Sequence, residues 1–141
     1  MKLTLLTAVR NEGKRMRAFL DHHAAFFDEV VVVHDGKCLD DTLDIARGYA
    51  NVRVYERPGE HNPHPHREWA LRHAIDGGWV VMLDPDERLD EQFLRDLRGV
   101  AEQADADGKD GLAVTMRLVI DDEIIGDFPV WRIFKHSEHV H

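Results

Sequence analysis

Residues 28–46 read DEVVVVHDGKCLDDTLDIA, and the four consecutive valines within them decide the fold. Val30 to Val33 show no alternation with polar residues, so a strand formed here must be covered on both faces, as strands inside a parallel sheet are. The acid-rich turn after them leads into a helical segment, DTLDIARGYA, with Asp40 or Asp41 placed to cap its first turn. Strand, turn and helix in this order are half of a βαβ unit. Parallel pairing then requires further units of the same kind on either side.

The flanks supply them. Leu3 to Val9 is a short β-rich run, and GKRMRAFLDHHAAFF after it sets Met16, Phe19, Leu20, His23 and Phe27 on one helical face. Downstream, Val52 to Tyr55 makes a third strand. REWALRHAI makes a helix packing Trp69, Ala70, Leu71 and Ala74, and Trp79 to Leu83 a fourth strand. DEQFLRDLRGVAEQ then repeats Phe93, Leu94, Leu97, Val100 and Ala101 at helical spacing. After the turn-rich break ADADGKDG, LAVTMRLVI and EIIGDFPVWRIF read as strands joined directly at Asp121 and Asp122. The expected fold is α/β: a mostly parallel, Rossmann-like sheet flanked by helices, with antiparallel strands toward the C-terminus, in a single domain spanning 1–141.

Composition narrows the partners. A chain of 141 residues can bury one core, and its net charge of -9 argues against a nucleic-acid backbone, which needs clustered Lys and Arg. Cys38 is the only cysteine, so no intrachain disulfide can form and a reducing, cytoplasmic setting is expected. No segment approaches the ~20 apolar residues of a membrane span.

In open α/β sheets, ligands collect at the carboxyl ends of the strands. Arg10 and Asn11 follow the first strand, Asp35 the second, and Asp84 and Asp86 the fourth, where WVVML runs straight into DPDE. Two carboxylates about 4 Å apart repel by about 4 kcal/mol at an effective dielectric near 20, unless a proton or cation lies between them. A hard ion such as Mg²⁺ or Mn²⁺ would compensate them and leave positions for substrate phosphates. A solvated acidic turn, with Asp86 or Asp90 capping the next helix, accounts for the same residues. Spacing removes some alternatives. A calcium loop starting at Asp84 would meet Arg88, Leu89 and Arg95 at its fifth, sixth and twelfth positions, where oxygen ligands and glycine are needed. An Asp-x-Asp phosphatase of the haloacid-dehalogenase kind carries Gly and Thr after its acids, near the first strand, so it stands as a distant alternative. No Gly-x-Gly-x-x-Gly follows any strand.

Taken in order, TAVRNE, DEVVVVHDGKCLDDTLDIA, REWAL and GGWVVMLDPDERLDEQF resemble the family-two glycosyltransferases of the GT-A fold, from Leu3 to about Leu97, with WRIF a looser match near the end. The resemblance implies a GT-A-like domain and transfer of a sugar from a nucleotide-diphosphate sugar, UDP-linked by expectation, to a glycan, lipid or protein acceptor. It implies Asp86 as a direct ligand of Mn²⁺ or Mg²⁺, with Asp84 reaching toward ribose and the metal-bound diphosphate. It implies Asp35 on the nucleobase, Arg67 near base or phosphate, and Ala8 and Arg10 along the base and ribose pocket.

Departures from the family pattern set further expectations. His34 replaces an acid and GKCLD replaces the usual GSTD, so base or ribose recognition is altered. GEHNPHPH, with His61, His64 and His66, occupies a variable loop. Without a fourth ligand at fixed spacing, it is expected to be solvated or phosphate-facing rather than a zinc site. The chain is short for the family, so it is expected to be either a compact version or truncated on its acceptor side. The general base is therefore unassigned: Asp121, Asp122 and Glu123 are acids that could face the site, and a plain hairpin turn explains them as well. His139 and His141 could complete a metal site. The expected function is a metal-dependent, inverting glycosyltransferase; the alternative is a nucleotide-sugar-binding module that works with a partner chain or a missing C-terminal region and transfers nothing.

Overall fold

The computed structural model describes residues 1–136, so His139 and His141 lie outside the described residues. Strands β1 (Leu3–Val9), β2 (Glu29–Asp35), β3 (Val52–Arg57) and β4 (Trp79–Met82) alternate with helices α1 (Gly13–His23), α2 (Thr42–Ala46) and α3 (Pro63–His73). Helix α4 (Glu91–Ala106) and strands β5 (Gly111–Ile120) and β6 (Glu123–Lys135) follow. Among the described residues the strands form one sheet, in the order β3-β2-β1-β4-β6-β5. The first four run parallel, and β6 pairs antiparallel with both β4 and β5.

The valine run behaves as its pattern requires. Val30 and Val32 pack with Leu3, Leu5, Phe19 and Leu97 on the face covered by α1, α2 and α4. Val31 and Val33 join Leu6, Ala70, Leu71 and Val80 on the face covered by α3. Each such side chain contributes about 1.5–3 kcal/mol by leaving water, which is why this strand lies inside the sheet and not at its edge. Toward the other end the pattern weakens. Only Trp79, Val80 and Val81 of β4 pair with β6, so most of the β5–β6 hairpin extends past the sheet, with Leu118, Ile124, Ile125 and Phe128 exposed.

One local reading changes. The helix expected over REWALRHAI begins earlier, at Pro63: the Asn62 side chain accepts the His64 N–H (3.0 Å), and proline takes a first-turn position where its missing N–H costs nothing. His64 and His66 are therefore helical, and only His61 of the expected histidine loop stays outside α3. Of the two residues expected to cap α2, Asp41 takes the cap position and the Asp40 side chain supplies the bond: its Oδ1 accepts the Thr42 N–H (2.9 Å), and its Oδ2 accepts the Gly13 N–H at the start of α1 (3.0 Å). Bonds from the Thr42 hydroxyl and N–H hold the Asp40 carboxyl down to about 2.

The segment between β4 and α4 is pinned to the end of α1 by two histidines. His22 Nε2 donates to the Leu89 carbonyl (2.6 Å), while His23 Nε2 accepts the Leu89 N–H (3.1 Å) and its Nδ1 donates to the Phe19 carbonyl (2.8 Å). His23 is wholly buried and must stay neutral to accept that N–H. Burial lowers its pKa from 6.5 to about 4. A depressed folded pKa means that the unfolded chain takes the proton first. The stabilisation from neutral His23 is therefore complete above pH 6.5 and is lost as the pH falls toward 4. The shift corresponds to about 3 kcal/mol. Denaturant melts between pH 7.5 and 4 check this: His23→Gln should remove that part of the acid slope, and an unchanged slope would clear His23 of the role.

Candidate functional site

Because β1, β2 and β4 run parallel, their carboxyl ends deliver Arg10, Asp35 and Asp84 to one edge of the sheet. A cavity of about 470 Å³ opens there, lined by Ala8, Arg10, Asp35, Asp84 and Asp86 together with Arg15 and His61. Its size falls within the ~300–1,000 Å³ usual for small-molecule sites. Arg67 reaches this neighbourhood from α3 by pairing with Asp84, Nη2 to Oδ1 at 2.6 Å.

Asp35 is engaged by protein on all sides. Its Oδ1 accepts the Glu60 N–H (2.6 Å) and the His66 Nε2–H (2.7 Å), and its Oδ2 accepts the His61 N–H (3.2 Å). These bonds, the Glu60 N–H foremost, lower the Asp35 carboxyl below its ordinary range. His66 is fully buried, which corrects the reading of it as a solvated or phosphate-facing loop residue. Its buried Nδ1 has no hydrogen-bond partner among the described residues. Asp35 thus latches the segment between β3 and α3 against the end of β2. His61, carried on that segment, hydrogen-bonds Arg10 across the cavity.

His34, standing where the family pattern has an acid, closes the neighbouring turn. Its Nδ1 donates to the Gly36 carbonyl (2.8 Å) and its Nε2 accepts the Asn11 N–H (3.0 Å). An acid could not donate in this way. Asn11 takes a positive φ of 47° and accepts the Leu39 N–H on its side chain (2.9 Å), so the turns after β1 and β2 form one bonded unit.

The acidic turn is closed on itself. Glu87 N–H donates to the Asp84 carbonyl (2.9 Å), and the Glu87 carboxylate accepts the Asp84 N–H (2.7 Å). Glu87 also pairs with Arg132 of β6 at 3.0 Å; burial pushes its carboxyl upward, against the pull of the Asp84 N–H and Arg132. Asp90, not Asp86, caps α4, accepting the Phe93 N–H (3.2 Å). Asp86 is exposed and has no hydrogen-bond or ion-pair partner among the described residues. Among those residues no group of three or more His, Cys, Asp or Glu is placed to hold a metal. The donors that are present, one free carboxylate and one partly engaged by Arg67, suit an ion such as Mg²⁺ or Mn²⁺, which takes one or two carboxylates and fills its remaining positions with water and phosphate oxygens.

A second, larger cavity of about 1160 Å³ lies between the acidic turn and the β5–β6 hairpin; its lining includes Phe93, Met116 and Phe128, and it shares only Asp84 and Asp86 with the first. The structure does not bring Asp121, Asp122 and Glu123 to the aspartates. Asp121 and Asp122, with φ of 50° and 64°, form the hairpin turn, and none of the three lines either cavity. Glu87, Arg132 and the two clamping histidines were not among the residues singled out from the sequence for the site. The only cue was the adjacency of Glu87 to the motif. No helix among the described residues is long and apolar enough to cross a membrane.

Comparison with known proteins agrees with this fold. A family model described as Glycosyl transferase family 2 matches residues 4–132. Among solved structures, S. aureus TarS 1-349 in complex with UDP-GlcNAc is similar, with 26% identity, a TM-score of 0.71, and 87% of this chain and 36% of that one covered. Its UDP complex gives the same identity and TM-score, covering 37% of that chain. Glucosyl-3-phosphoglycerate synthase from Mycobacterium tuberculosis, solved with Mn²⁺, UDP and glucosyl-3-phosphoglycerate, shares the fold at 23% identity and a TM-score of 0.53, over 70% of this chain and 38% of that one. This chain therefore spans little more than a third of the length of these proteins. No curated protein matches it by sequence.

Proposed function

The chain belongs to glycosyl transferase family 2, and from that membership we propose that it is the donor-binding part of a metal-dependent, inverting glycosyltransferase. Its donor is a nucleotide-diphosphate sugar, UDP-linked as in the TarS complexes. The observation that carries the reading is the placement of Asp84 and Asp86 where the two cavities meet. A donor in the smaller cavity and an acceptor in the larger one would come together at that point and nowhere else.

Ala8 and Arg10 form the wall for base and ribose. Asp35 shapes the same wall through the segment it latches, and Arg67 fixes the orientation of Asp84. Arg10 and Arg15 line the cavity beside Glu12, Asp35, Asp84 and Asp86, so an anionic diphosphate there would depend on a bound cation for charge compensation. Asp86, with Asp84, would hold Mn²⁺ or Mg²⁺. Such an ion, when bound, stabilises charge developing on the leaving diphosphate, a contribution of several kcal/mol. Inversion follows from direct attack of an acceptor hydroxyl, a glycan, lipid or protein one, on the face of the anomeric carbon opposite that diphosphate. The domain, 1–141, is short on its acceptor side in this reading, since the acids expected to supply a base lie in the hairpin turn.

Calorimetry and product analysis test it. The chain should bind UDP more tightly with Mn²⁺ than without it. With UDP- and GDP-sugars and simple acceptors it should release nucleotide slowly and transfer little sugar, because an open site admits water to the anomeric carbon. Rapid acceptor-dependent turnover would show a complete enzyme, and failure to bind any nucleotide would end the donor-site reading.

A further inference from the structure

We propose that Glu87 and Arg132 are positioning residues that hold Asp84 and Asp86 in a metal-binding arrangement, a proposal that rests on the donor-site reading above. The turn from Asp84 to Glu87 is closed twice, by the Glu87 N–H on the Asp84 carbonyl (2.9 Å) and by the Asp84 N–H on Glu87 Oε1 (2.7 Å). Asp86 lies within that loop, so its direction follows the turn. The second oxygen of Glu87 is held by Arg132 Nη2 at 3.0 Å, with both side chains largely withdrawn from solvent at 20% and 16% exposure. Arg132 is itself fixed. It precedes Ile133, which is buried to 1% exposure and paired with Val81 in the centre of the sheet.

The chain of contacts therefore runs from the sheet, through Arg132 and Glu87, to the backbone that carries both aspartates. Arg67 approaches Asp84 from the opposite side, on α3. Without the strut the acidic turn keeps its position at the end of β4, because His22 and His23 still hold Leu89. What it loses is the ion pair that fixes the Glu87 side chain, and with it the set orientation of the oxygen that accepts the Asp84 N–H. The prediction is specific: the deficit falls on the metal and not on the nucleotide's other contacts.

The test uses the full chain, with Mn²⁺ alone followed by electron paramagnetic resonance, and UDP titrated by calorimetry with and without Mn²⁺. The variants are Glu87→Gln, Arg132→Gln and Arg132→Lys. Residues that orient metal ligands typically carry about 10–100-fold in metal affinity. Glu87→Gln and Arg132→Gln should weaken Mn²⁺ binding within that span and shrink the Mn²⁺-dependent gain in UDP affinity to match. Metal-free UDP affinity should stay within about twofold. Arg132→Lys, which keeps the charge, should recover part of the loss. A strut of merely structural importance would instead lower the melting temperature and weaken UDP alike with and without metal, and that result overturns the proposal, as does Mn²⁺ affinity equal to the parent's. Should the parent bind Mn²⁺ but no UDP, the donor reading fails while the Mn²⁺ comparison still decides the strut.

Discussion

Asp86→Asn should cost Mn²⁺-dependent UDP binding at least about 100-fold, beyond the span seen when only a supporting residue is changed. The substitution removes the one carboxylate of the acidic turn that has no protein partner among the described residues. Its effect on folding should stay within the ~0.5 kcal/mol usual for exposed positions, because no contact is broken. Metal-free UDP affinity should be unaltered or slightly improved, since one negative charge near the diphosphate is gone. Calorimetry with and without Mn²⁺, beside a thermal melt, separates the two effects. Equal affinity in mutant and parent would remove Asp86 from the metal site.

Asp35→Ala should act very differently. From the sequence, Asp35 is expected to contact the base edge, and its loss would relax preference among nucleobases. The structure gives it three protein donors instead, one of them a fully buried histidine. Leaving a buried donor unsatisfied typically costs about 1–3 kcal/mol, and here the His66 ring and two backbone N–H groups all lose their acceptor. The expected result is a large fall in stability together with weaker binding of UDP, GDP and CDP, their order preserved. A changed order at parental stability would restore Asp35 to the base and retire the latch.

The edge that these two residues share was legible in the sequence; their partners were not. The parallel sheet was legible because Val30 to Val33 have the unbroken apolar pattern of a strand covered on both faces, and similar strand–helix units flank them. The address of the site was legible for the same reason: once the strands are parallel, Arg10, Asp35, Asp84 and Asp86 must share an edge. Partners at long range were not legible. Nothing in the spacing of Asp35 and His66, or of Glu87 and Arg132, announces a bond, since side chains 31 and 45 residues apart meet only through the crossing of other elements. The early start of α3 was a different kind of miss. Asn62 followed by Pro63 is a local helix-start signal, in a stretch whose three histidines suggested a solvated or phosphate-facing loop.

The strand order also bears on when the site comes into being. β1, β2 and β3 are joined through nearby connections, but β4 enters the sheet beside β1, Leu3 meeting Trp79 across more than half the chain. Closing so long a loop is entropically unfavourable until the pairing is complete, and such contacts form late and slowly. Ala8, Arg10 and Asp35 can therefore gather in a partly folded chain, while Asp84 and Asp86 arrive only with the last central strand. The acid pair therefore joins the cavity only when β4 pairs with β1.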